Sequence, residues 1–223
     1  MMRAGCRWVL SCLALFALLG SIRADDTEVR EFSIFVDGKD AGASRLTLVQ
    51  KNDGSTYMSA TVDVKFRHLL VVDYVIKVKT QEWWKDGRLV GMETTSTENS
   101  KKTEVTIGLD KKNNLGMRVN GKESTLRPDI WTNSYWKLAD ARFHNKQVPI
   151  VEVDSGKEFT TDLKYVGTEK INVGGQLQDC YRFLVTNAPG PIDLWYDKYH
   201  RIVRQEFTES GHKTIVKLEN VKR

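Results

Sequence analysis

Two carboxylates and an imidazole lie close together in the stretch PIDLWYDKYHRIVRQEF, Pro191 to Phe207: Asp193, Asp197 and His200. Such a set suits general acid–base chemistry, and a carboxylate pair suits glycoside hydrolysis. Spacing argues against both. On a regular strand Asp193 and Asp197 sit about 13 Å apart, whereas a glycosidase pair needs roughly 5 to 9.5 Å between carboxyl groups. Alternation puts Ile192, Leu194 and Tyr196 on one face and Asp193, Trp195 and Asp197 on the other. Asp197 to His200 then reads as a four-residue turn, because an aspartate there bonds the backbone two residues on. The stretch is expected to be a β-hairpin.

The remaining reactive residues are scattered. His68, His144, His200 and His212 are far apart, and none has a partner at a typical metal-ligand spacing. The nucleophile elbow, the phosphate loop and the dinucleotide glycine fingerprint are absent. Cys180 is the one cysteine beyond the first 24 residues, so it has no disulfide partner there and is expected to be a small buried hydrophobe. No catalytic residue, metal site or cofactor is expected, and the chain reads as a non-enzyme.

The elements that must position these residues are strands. Asp37-Gly38, Asp53-Gly54 and Asp86-Gly87 punctuate segments rich in Val, Ile, Thr, Phe and Tyr. Further turn signals follow at Lys111 to Asn114, Asn120-Gly121, Ser155-Gly156, Gly174-Gly175, Asn187 to Pro191 and Ser210-Gly211. In the segment Tyr57 to Phe66, Tyr57, Ser59, Thr61 and Asp63 share one face while Met58, Ala60, Val62 and Val64 share the other, so one face is wet and one dry. Only Arg127 to Arg142 competes for helix, with Pro128 near a first turn and Ile130/Trp131, Ser134/Tyr135 and Leu138 at helical spacing. The expected fold is all-β: a single antiparallel meander of about ten or eleven strands forming a curved open barrel or half-barrel, its open side covered by one short helix.

Residues 1–24 read as an export signal, with Arg3 and Arg7 before the apolar run WVLSCLALFALLG, and residues 25–223 read as one secreted domain. The apolar run is too short for a membrane span, which needs roughly 18 to 20 residues, and no stable span is expected once the leader is gone. A lipoprotein site at Cys12 would leave most of the apolar run behind, and an outer-membrane barrel would need an apolar outer band that these polar strand faces lack. Arg3, Arg7 and Arg23 supply three of the formal +5 charges, so residues 25–223 carry 5 − 3 = +2. No basic stripe with stacking aromatics is evident, and no nucleic-acid partner is expected. The expected location is the periplasm or the extracellular space.

Aromatic residues carry the remaining functional signal. Trp131, Tyr135 and Trp136 on the covering segment, with Trp195 and Tyr196, are the candidates for lining an apolar hollow; core packing is the alternative use of such rings.

The stretch IDLWYDKYHRIVRQEF resembles the C-terminal signature of a secreted bacterial family known only as domain-of-unknown-function family 6134, in which Asp-Leu-Trp-Tyr-Asp precedes a short turn and a hydrophobic-Val-Arg strand. The hairpin FSIFVDGKDAGASRLTL, the NSYW at Asn133 to Trp136, VDSGKE and YVGTEKINVGG follow in the order that family shows. The resemblance implies an exported, mostly antiparallel β protein of open-barrel type and brings no catalytic residues. The expected function is an exported envelope protein that carries a lipid-like or other apolar small molecule inside its curved sheet. The alternatives are a hydrolase of envelope polysaccharide or lipid, which needs carboxylates meeting in one cleft, and a scaffold that pairs through an edge strand.

Overall fold

A computed structural model describes residues 25–68, 72–188 and 190–223; the expected leader, residues 1–24, lies outside them. The glycine-punctuated, alternating sequence forms fifteen strands. The first eight are β1 (Asp26–Val36), β2 (Lys39–Gln50), β3 (Ser55–His68), β4 (Val72–Lys85), β5 (Arg88–Glu98), β6 (Lys101–Leu109), β7 (Leu115–Val119) and β8 (Lys122–Thr125). The rest are β9 (Trp131–Thr132), β10 (Lys146–Val151), β11 (Glu158–Val173), β12 (Gln176–Thr186), β13 (Ile192–Tyr196), β14 (Ile202–Glu209) and β15 (His212–Lys222). This exceeds the expected ten or eleven, and three of the additional strands, β7, β8 and β9, are too short to show a clear alternation.

All strands join one sheet in the order β8-β7-β6-β5-β4-β3-β2-β1-β15-β14-β13-β12-β11-β10-β9. Every neighbouring pair is antiparallel except β9 and β10, which run parallel with Trp131 opposite Ile150. The chain thus starts mid-sheet, meanders to one edge, crosses to the other and meanders back until β15 pairs with β1. Laid flat, fifteen strands at about 4.8 Å would be roughly 67 Å wide. Residues 126–130 alone join the edge strands β8 and β9, and their six Cα–Cα steps reach at most about 23 Å. The sheet must therefore curl until its edges nearly meet. Bulges help it bend, as where Val166 is left without an opposite residue between Tyr165 and Gly167. At the bulge in β2, Gly42 has φ 148° and a Cβ there would sit 2.0 Å from the Asp63 carbonyl oxygen, so only glycine fits.

Alternation sorts the two faces as the sequence implies. Phe32, Leu46, Leu48, Met58, Val64 and Val78 point inward and are buried, while Thr61, Asp63, Lys77 and Lys79 on the same strands face out. The apolar face is the concave one, the reverse of an outer-membrane barrel. The expected helix over Arg127 to Arg142 does not form, and the described residues contain no α-helix. That stretch is extended and irregular, with β9 and one three-residue 3₁₀ turn at Ala141–Phe143. Its helical spacing came from residues buried against different parts of the barrel. Tyr135, at φ 47°, takes a left-handed conformation that breaks any helix.

Candidate ligand site

Residues 131–138 form a plug seated in the concave face, where Trp131, Tyr135, Trp136 and Leu138 join the hydrophobic core and a set of buried polar groups adds hydrogen bonds. Glu82 on β4 is fully buried, paired across the sheet with Met58 and Met92, which are also fully buried. Its Oε2 accepts hydrogen bonds from Trp84 Nε1 at 2.7 Å, Trp136 Nε1 at 3.1 Å and Thr132 Oγ1 at 3.4 Å. Burial drives the Glu82 carboxyl above its ordinary range, against the opposing pull of these donors and of the Ser134 hydroxyl. The buried Arg30 guanidinium reaches from β1 to the Trp136 carbonyl at 2.5 Å and to Glu28 at 2.7 Å. Tyr196 donates its hydroxyl to the Tyr135 carbonyl at 3.3 Å, and the Asn133 side chain accepts from Val153 N at 2.9 Å.

The plug nevertheless carries stored cost. Tyr135 is a bulky residue held at positive φ, a conformation worth about 1 to 3 kcal/mol. Its hydroxyl and Glu82 Oε1 are both buried without a hydrogen-bond partner among the described residues. Each such atom costs about 1 to 3 kcal/mol.

Two small cavities flank the plug. One, of about 10 Å³, lies between it and a wall of Val148, Ile150, Leu163, Val185 and Leu194, and has room for about one water. The other, of about 100 Å³, opens at the β2–β3 and β4–β5 turns between Gln50, Thr56, Trp84, Trp131, Trp136 and Lys137. Three indoles cluster there: Trp84 lies 4.6 Å from Trp131 and 6.1 Å from Trp136 between ring centres. The interior is thus filled, where an open hollow was expected.

Four of the five candidate pocket residues come together. Trp131 lines both cavities, Tyr135 and Tyr196 line the smaller, and Trp136 lines the larger. Trp195 sits apart, on the convex face of β13. Its ring lies between the guanidinium groups of Arg182 at 5.3 Å and Arg204 at 5.6 Å, and its N–H donates to Glu169 at 2.9 Å. Glu82 and Arg30 escaped the sequence reading. The signal was available, since Glu82 shares a face with Val78 and Arg30 with Phe32, each a charge on the dry side of its strand.

The residues considered for catalysis have structural partners. Asp193 bonds Arg182 at 2.8 Å. Asp197 caps the turn after β13, accepting from Tyr199 N at 2.8 Å and Arg201 N at 3.0 Å, and holds the Arg201 side chain at 2.7 Å. Cys180 is buried, and burial, with Asp197 and Asp179 nearby, pushes its thiol up to about 11. At a different rim Asp154 and Glu209 are held above the ordinary carboxylate range, by desolvation and then by mutual repulsion with Glu152 and Glu98. Among the described residues no three His, Cys, Asp or Glu side chains are placed to hold a metal ion.

Comparison with known proteins agrees with this fold. A crystal structure described as a beta-barrel-like protein of domain of unknown function DUF1849, from Brucella abortus, superimposes with a TM-score of 0.58 at 8% identity, covering 89% of this chain and 97% of that one. That likeness speaks to the fold alone. No curated protein matches the chain in sequence. A family model described as Domain of unknown function (DUF6134) matches residues 32–219, and the chain belongs to that family.

Proposed function

We propose that the protein is a non-enzymatic binding module of the bacterial envelope, and that it takes an apolar ligand between the plug and the wall formed by β10 to β13. The observation that carries this reading is where the structural cost lies. The two unpartnered buried polar atoms belong to Tyr135 of the plug and to its anchor Glu82, and Tyr135, itself held at positive φ, lies against the apolar wall. A segment so held is cheaper to lift than a plain hydrophobic core, and an acyl chain entering beneath it would replace the apolar contacts that Trp131 and Tyr135 make. The leader-like residues 1–24 support the envelope setting.

Native mass spectrometry of the protein purified from its own host tests the reading. A co-purifying apolar molecule, released on unfolding, is the expected result. Protein that emerges free of any such molecule, and that also fails to bind a fluorescent acyl probe, would contradict it.

A filled interior also suits a scaffold that pairs through its sheet edge. The free edge strand β8 is fully exposed. It is also only four residues long and carries Lys122 and Glu123, features that discourage strand addition, so the binding module is the stronger reading.

A further inference from the structure

Resting on the binding-module reading, we infer that the ligand is an anionic amphiphile whose charged head is received by Lys137. Lys137 and Trp131 are the two residues that line both cavities, so a molecule occupying both would pass between them. The two spaces differ in chemistry. The wall beneath the plug is aliphatic and suits a hydrocarbon tail. The larger cavity offers neutral hydrogen-bonding groups from Gln50 and Thr56, indole faces, and a single charge, that of Lys137.

No carboxylate lines the larger cavity. Asp53, in the adjoining turn, is taken up by Ser55 and Lys85. Glu82 lies behind the indoles, with its one partnered oxygen turned toward their N–H groups. The Lys137 ammonium sits 6.0 Å from the Trp136 ring centre, and among the described residues no carboxylate lies within ion-pair distance of it. A lone cation at the polar mouth of an apolar slot selects a carboxylate or phosphate head over a neutral or cationic one.

The test is a titration of full-length mature protein with three ten-carbon probes, decanoate, 1-decanol and decyltrimethylammonium, each below its aggregation concentration and followed by intrinsic tryptophan fluorescence. Decanoate should bind about fivefold more tightly than decanol, the scale of a partly exposed ion pair, and decyltrimethylammonium more weakly than either. Lys137→Gln should bring decanoate down to the affinity of decanol measured in the same variant. Equal binding of the two in the unaltered protein, or a preference that survives Lys137→Gln, would overturn the inference and leave the apolar site standing. Failure of all three probes to bind would overturn the binding-module reading and this inference together.

Discussion

The indole N–H of Trp136 lies 3.1 Å from Glu82 Oε2, across 54 positions of sequence, and this bond joins the plug to β4. The same oxygen gathers Trp84 and Thr132, so one buried carboxyl group orders both the indole cluster and the segment above it.

Removing that acceptor should be costly. Glu82→Ala leaves the N–H groups of Trp84 and Trp136 buried without a partner, while the Thr132 hydroxyl keeps Ser134, and a loss of about 3 to 5 kcal/mol is expected in urea unfolding. Glu82→Gln keeps an acceptor oxygen and should cost about 1 kcal/mol. An alanine variant within 0.5 kcal/mol of the parent would show that the anchor carries no weight.

Glu82 should also leave a mark on the pH dependence of stability. Burial raises its folded pKa above the ordinary 4.5, so the folded chain keeps this proton after the unfolded chain has released it. The contribution is whole below pH 4.5 and is lost as pH rises from there through the raised folded value. Measured against Glu82→Gln, the parent should lose ground as pH rises above 4.5. A constant difference, or a gain, would reverse the assignment.

Tyr135→Phe removes a buried hydroxyl that has no partner among the described residues while preserving the ring. Thermal unfolding should show the variant equal to or more stable than the parent, by up to about 1 to 3 kcal/mol. A clear destabilisation would mean that the hydroxyl is satisfied in solution.

The turn between β10 and β11 docks on the inner face of β6 and β7 through Gly156, where a Cβ would come 2.4 Å from Val119 Cγ2 at φ 71°. Gly156→Ala should lift this turn and cost about 1 to 3 kcal/mol. Gly42→Ala should cost at least as much, because its Cβ would strike the rigid backbone of β3. An alanine tolerated at both positions would be inconsistent with this packing.

Much of this fold is readable from residue order. The Asp-Gly pairs at 37, 53 and 86 all close hairpins, and the alternation from Tyr57 to Val64 places Met58 and Val64 in the core as it should. Parity also placed Trp195 opposite Leu194 and Tyr196, yet its aromatic character grouped it with the pocket candidates; charged partners on the convex face bury it instead. The plug was not readable as a plug. Irregular backbone has no period, and the partners of Trp131, Tyr135 and Trp136 lie on strands far away in sequence, so a helical pattern arose where no helix exists. The pairing of β1 with β15, which joins the two halves of the sheet, is likewise a long-range contact that no local signal encodes.

The central claim is that the ligand enters beneath residues 131–138 and loosens them from the wall of β10 to β13. Hydrogen exchange of these amides, with and without saturating decanoate, tests it most directly. The account predicts faster exchange across 131–138 on binding while β4 and β10 to β13 stay protected; unchanged or slower exchange in the plug would contradict it.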